Sequence, residues 1–179
     1  MKRIFLVGYM GVGKTTIGQV LAQRIVFSFI DLDKYIEGRY GMTISLLFKE
    51  KGEEAFREIE RQMLLEVSSF EDVVISTGGG TPCYHSNMEN MKKTGITIYL
   101  RASTEELARR IETSCNIRPI LAGRRGEELR EFIRNSLQQR EMFYNQASLA
   151  WNVPSLETNA DIQQVASSLA DELHRTVEK

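Results

Sequence analysis

Cysteine, proline and tryptophan are scarce in this 179-residue chain, which holds two, three and one of them. Cys83 and Cys115 stand far apart with no paired spacing, which argues against a zinc site and a disulfide framework and makes a reducing cytosol the default. So few prolines, beside 42% hydrophobic and 26% charged residues, exclude collagen-like, coiled-coil and disordered classes and leave enough apolar area for a core. A surplus of charge of one sign is missing too. With 23 Lys+Arg against 24 Asp+Glu, the formal net charge of −1 removes the broad cationic field that non-specific nucleic-acid binding needs. A local anion site remains open. No run approaches the roughly 18 to 20 apolar residues of a membrane span. Lys2 and Arg3 before Ile4-Phe5-Leu6-Val7 imitate a secretion signal, but Gly8, Gly11, Gly13 and Lys14 cut the run short and no small-residue cleavage site follows. The expectation is one cytoplasmic domain, a monomer over 1–179, that binds neither membrane nor nucleic acid.

What is present is an alternation. Short apolar runs at Ile4 to Val7, Phe27 to Ile30, Val73 to Ile75, Ile96 to Leu100 and Leu149 to Val153 read as buried parallel strands, the last at an edge because Pro154 follows it. Between them lie helical patterns over Thr15 to Arg24 and Glu53 to Val67. Another opens at Ser103, where Glu106 completes a capping box. Ile162, Val165, Leu169 and Leu173 mark one face of a closing helix. Such alternation predicts a doubly wound α/β sheet covered on both faces. Two segments break the rhythm as excursions above the sheet: Tyr40 to Gly52, and the arginine-rich Thr113 to Gly126.

Gly8-Tyr9-Met10-Gly11-Val12-Gly13-Lys14-Thr15 matches the P-loop pattern between a predicted strand and a predicted helix, the context that motif requires. Its backbone N–H groups can curl around phosphate oxygens at a helix N-terminus, Lys14 can reach the terminal phosphates, and the Thr15 hydroxyl can ligate Mg²⁺. Asp31-Leu32-Asp33 follows the second strand at the edge where open α/β sheets bind ligands. Two carboxylates at a spacing of two on a strand end point the same way, so one could hold the water shell of magnesium and the other accept a hydroxyl proton. The alternative for Asp33 is an N-cap of the next helix. Gly78-Gly79-Gly80, after the third strand, removes every side chain at the functional edge and lets a ligand approach the backbone; a plain flexible loop is the other reading. No aspartate ends that strand, so Asp31 is the candidate for magnesium, through water. Arg57, Arg110, Arg118 and Arg140 fall in or near the excursions and their flanking helices, whereas His85 and His174 have no metal-like company.

These residues together resemble the shikimate kinases over nearly the whole chain. The matching pieces are Gly8 to Thr15, Asp31-Leu32-Asp33 with Ile36-Glu37, Gly52-Glu53 with Phe56-Arg57 and Glu60, the glycine triplet, Arg118-Pro119-Ile120-Leu121, and Arg140 with Tyr144. The resemblance implies a three-layer P-loop kinase fold, its five-stranded parallel sheet in the order 2-3-1-4-5, with a substrate-binding excursion at about 33–62 and a lid at about 113–126. It implies ATP and shikimate as substrates with Mg²⁺ as cofactor. Catalysis would fall to Lys14, Asp33 and Arg118. ATP would lie on Gly11, Val12, Gly13, Lys14, Thr15, Thr16, Arg110 and Arg118, with Arg110 stacked on adenine. Shikimate would meet Asp33, Gly78, Gly79 and Gly80, its carboxylate clamped by Arg57 and Arg140. Guanidinium forks suit a carboxylate, and electrostatics must carry a transfer whose transition state is highly charged. Two stretches depart from the family's usual run: Glu157 to Asp161 in the late adenine loop, and Thr81-Pro82-Cys83-Tyr84, which carries no assigned role. Another small-molecule or nucleoside-monophosphate kinase would share the P-loop and differ in its acceptor pocket. A GTP switch is disfavoured because no Asn-Lys-x-Asp guanine signature occurs.

Overall fold

A computed structural model describes residues 2–114 and 123–177. Along the chain come β1 (Arg3–Val7), α1 (Lys14–Arg24), β2 (Ser28–Asp31), α2 (Leu32–Tyr40), α3 (Ile44–Val67), β3 (Val73–Ser76), a 3₁₀ turn (Thr81–Cys83), α4 (Asn87–Thr94), β4 (Ile96–Arg101), α5 (Thr104–Thr113), α6 (Gly126–Tyr144), β5 (Leu149–Asn152) and α7 (Asn159–Val177). The strands form one parallel sheet in the order β2-β3-β1-β4-β5, as the resemblance implies.

The period-2 geometry of a strand divides the apolar runs between two cores. Ile4 and Leu6 of β1 face one layer with Val74, Ile98 and Leu100, against Ile17 and Leu21 of α1, Leu107 of α5 and Leu169 of α7. Phe5 and Val7 face the other with Val73, Ile75 and Tyr99, against Leu32 and Ile36 of α2, Leu64 of α3 and Met91 of α4. Because both faces are covered, the strands read as continuous apolar runs rather than alternating ones.

Several boundaries differ from the sequence reading, each for a local reason. Phe27 belongs to the end of α1: its N–H donates to the Ala22 carbonyl at 2.8 Å and that of Val26 to Gln23 at 3.4 Å. Those two bonds make a Schellman close, so β2 starts one residue later. The excursion at Tyr40 to Gly52 holds the last residue of α2, a short turn and the front of α3, which breaks from its longer rear part where Gly52 leaves helical geometry at φ 78°, ψ 172°. The capping box at α5 is only half made. Ser103 Oγ accepts from the Glu106 N–H at 3.1 Å, but the Glu106 carboxylate turns to Arg109 and Arg110 instead.

Candidate active site

The loop from Gly8 to Gly13 leaves β1 at the carboxyl edge of the sheet and delivers Lys14 and Thr15 as the first turn of α1. Its tightness has a steric cause. Gly8 has φ 141°, and a Cβ there would lie 2.5 Å from the Leu100 carbonyl oxygen, so the loop can hug β4 only with glycine. Gly13, the N-cap, lies in left-handed geometry and caps α1 with no side-chain hydrogen bond, so the backbone donors of the first turn are left to a ligand. The buried Lys14 ammonium is anchored within the loop, donating to the Gly8 carbonyl at 2.8 Å and the Tyr9 carbonyl at 3.0 Å. Val12 is buried in the core and can meet a ligand through its backbone alone.

Opposite the loop stand the acids. Thr15 Oγ1 donates to Asp31 Oδ2 at 2.6 Å, and Asp31 Oδ1 accepts from the Lys34 N–H at 3.1 Å. Asp31, not Asp33, therefore caps α2, and the cap reading of Asp33 is corrected. The strand-end alignment of the two carboxylates is corrected as well. Asp33 already lies in the first turn of α2, and it is that helical turn, rather than strand alternation, that brings it to the same cleft. The cleft holds about 290 Å³ and is lined by Gly11, Gly13, Lys14, Thr15, Thr16, Asp31, Asp33, Gly78, Gly79 and Arg110, with Met10, Ser76, Thr77 and Ser114. Hard oxygen donors at Thr15 and Asp31 suit Mg²⁺, which keeps much of its water shell and takes few protein ligands.

At the side of the cleft, the glycine triplet lies between two guanidinium groups. A Cβ on Gly80 would lie 2.9 Å from Arg57 Nη2, and one on Gly79 would lie 3.7 Å from Arg140 Nη1. Arg57 Nη1 donates to Glu60 at 2.9 Å, and Glu60, only 1% exposed, also accepts from Thr81 Oγ1 at 2.6 Å. Burial opposes the charge on Arg57, yet the Glu60 carboxylate beside it raises its pKa overall. Arg140 lies over the ring of Tyr9 at 5.6 Å, and the buried Tyr144 hydroxyl donates to the Gly79 carbonyl. Burial lifts that hydroxyl far above the usual phenol range, so it stays a donor.

On the α5 side of the P-loop, Arg110 reaches to the Val12 carbonyl at 2.9 Å and the Pro154 carbonyl at 2.7 Å, while its Nε pairs with Glu106 at 2.6 Å. Arg118 and most of the segment between α5 and α6 fall outside the described residues.

Known proteins agree with this geometry. The family model described as shikimate kinase matches residues 10–174. A shikimate kinase of Parabacteroides distasonis is 56% identical over 94% of this chain and 98% of its own. The chain belongs to the shikimate kinase family. The 1.7 Å crystal structure of the Bacteroides thetaiotaomicron shikimate kinase superposes with a TM-score of 0.93 at 47% identity, covering 97% of this chain and 98% of the other. The Acinetobacter baumannii shikimate kinase, crystallised in complex with shikimate, gives 0.85 at 32% identity over 100% and 96% of the two chains.

Within this family member the fold gathers Lys14, Thr15, Asp31, Asp33, Gly78, Gly79 and Arg110 around one cleft, with Gly80, Arg57 and Arg140 at its side. Sequence reasoning gave Glu60, Glu106, Tyr144 and Tyr84 no role at the site. Each holds a site group in place: Glu60 the Arg57 fork, Glu106 the Arg110 fork, Tyr144 the triplet backbone, and Tyr84 the face of Arg57 at 4.0 Å. Glu60 and Tyr144 stood among the pieces matching the family without a role, and for the two glutamates the only physical signal was helical spacing, since Arg57–Glu60 and Glu106–Arg110 are i,i+3 and i,i+4 pairs, the same as any surface ion pair.

Proposed function

We infer that the chain transfers the terminal phosphoryl group of ATP to the 3-hydroxyl of shikimate, giving shikimate 3-phosphate and ADP on the route to chorismate and the aromatic amino acids. The observation that carries this reading is the convergence of Asp33, Arg57 and Arg140 on the glycine triplet beside the P-loop. A carboxylate needs forked donors, a ring bearing hydroxyls needs a bare backbone to approach, and the reacting hydroxyl needs a base. In this reading the backbone donors from Gly11 to Thr16 and the Lys14 ammonium hold the phosphates. Thr15 and, through water, Asp31 would hold Mg²⁺, which neutralises charge on the phosphates when bound. Asp33 accepts the proton of the 3-hydroxyl as its oxygen bonds to phosphorus and the bond to the leaving ADP oxygen breaks. Arg57 and Arg140 grip the carboxylate, and the Gly79 N–H and its neighbours Gly78 and Gly80 receive the ring. Arg110 serves the adenine, and Arg118 the transferring group.

The same reading takes residues 1–179 as one kinase domain, with a substrate-binding excursion at about 33–62 and a lid at about 113–126, working as a cytoplasmic monomer. Among the described residues no helix is long and apolar enough to cross a membrane. A coupled assay of ADP release, run with shikimate, gluconate and nucleoside monophosphates as acceptors, tests the acceptor. Turnover with shikimate is expected. Silence with shikimate beside turnover of gluconate or a nucleotide would overturn it.

A further inference from the structure

The 3₁₀ turn after the glycine triplet is pinned from several sides. Thr81 Oγ1 donates to Glu60, Asn87 Nδ2 donates to the Thr81 carbonyl at 2.9 Å, and the Cys83 N–H donates to Gly80 at 2.9 Å. His85 and Ser86, at φ 49° and 55°, then turn the chain back in a conformation that residues with side chains disfavour. Strain of this kind persists where the surroundings over-determine it, and here it fixes Tyr84 between the turn and α4.

Tyr84 closes a triangle. Its ring lies 4.0 Å from the Arg57 guanidinium, nearer than Phe56 at 5.4 Å or Phe48 at 5.5 Å. Its hydroxyl donates at 3.0 Å to Glu53 Oε1, the oxygen that Arg57 Nη2 approaches at 3.4 Å. Glu60 and Glu53 hold the edges of the fork, and the aromatic rings hold its face.

We propose that Tyr84 is a positioning residue of the acceptor site, whose ring keeps the Arg57 fork oriented so that the carboxylate of the acceptor meets donors already in place. This rests on the reading of Arg57 as a carboxylate clamp in a shikimate kinase. A guanidinium stacked on a ring cannot swing out of plane without losing the contact, so ring loss is felt as weaker carboxylate binding rather than slower phosphoryl transfer.

The test is steady-state kinetics of the parent with Tyr84→Phe, Tyr84→Leu and Tyr84→Ala. Leu keeps apolar bulk without a π-face and guards against a folding defect in the Ala variant. Tyr84→Phe is expected within about twofold of the parent in shikimate KM. Tyr84→Leu and Tyr84→Ala should raise that KM about 5- to 20-fold, the range of a partly desolvated cation–π contact. Their kcat and ATP KM should stay within about twofold. With a shikimate analogue lacking the carboxylate, the parent and Tyr84→Leu should bind alike. Unchanged shikimate KM in Tyr84→Leu overturns the proposal. So does an equal rise in ATP KM, or a loss in Tyr84→Phe as large as in Tyr84→Ala. A parent inert toward shikimate would overturn the functional reading itself, whereas an active parent with an indifferent Tyr84→Leu overturns the positioning role alone.

Discussion

Asp33 lies so close to the glycine triplet that a Cβ on Gly78 would fall 2.9 Å from its Oδ1, and in the proposed reaction this carboxylate is the base. Asp33→Asn keeps the shape and removes the charge, so kcat with shikimate should fall by roughly 10²-fold or more, the scale of general-base loss. ATP binding, measured by nucleotide titration, should hardly change; near-normal turnover would demote Asp33 to a structural acid. The two arginines ask a different question. Lysine at Arg57 or Arg140 keeps the charge but loses the planar fork, so the cost should appear mainly as a raised shikimate KM with nucleotide affinity preserved. Equal KM values in parent and variants would remove the clamp. The charged residues of the cleft were legible because their motifs have fixed spacing. Glu60 stood out only as a piece of the resemblance, and its role was not legible, because a glutamate in a helix is read as solvated until the fold shows it 1% exposed beside Arg57 and Thr81.

At the scale of elements, the junction of α1 with β2 carries a visible fault. Val26 occupies the left-handed position of the Schellman close at φ 60°, where glycine is the ordinary occupant, and it is 89% exposed, so its side chain gains little from packing. A β-branched residue there costs about 1–2 kcal/mol, offset in part by the extra freedom that glycine gives the unfolded chain. Val26→Gly should therefore raise Tm by about 1–3 °C without touching kinetics. A scanning melt that finds Tm unchanged or lowered would show that the turn is not strained. The strands themselves were legible from apolar runs, since burial on both faces leaves no alternation to misread. Their exact starts were not. Phe27 is apolar whether it ends a helix or begins a strand, and only its N–H bond to Ala22 assigns it to the helix end.

Across the whole molecule, one ion-paired cluster beside the P-loop ties three distant segments together. Glu106 on α5 accepts from Arg109 at 2.8 and 3.0 Å and from Arg110 at 2.6 Å, and Arg110 in turn grips the P-loop at Val12 and the chain after β5 at Pro154. The sheet order followed from the family resemblance, but this cross-link was not legible in the sequence, because Arg110 meets partners about a hundred and about forty residues away. Its electrostatic signature is specific. Hydrogen bonds from Arg109, and after them from Arg110, hold the Glu106 carboxyl down at about 2 against the desolvation that opposes them. A group whose pKa is depressed by folding stabilises the native state fully above its unfolded value, about 4.3 for glutamate, and loses that contribution as pH falls toward the native value. Urea unfolding of the parent and Glu106→Gln across a pH series should therefore show a stability difference that is constant near neutrality and shrinks between about pH 4.5 and 2. Glu37 and Asp161, also held low, are common to both proteins and cancel in that difference. At neutral pH the variant should raise ATP KM, because Arg110 loses its anchor, and leave shikimate KM near the parent value. A stability difference that stays constant into acid, or grows there, would show that the pair is solvated and that Arg110 is held by the two carbonyls alone.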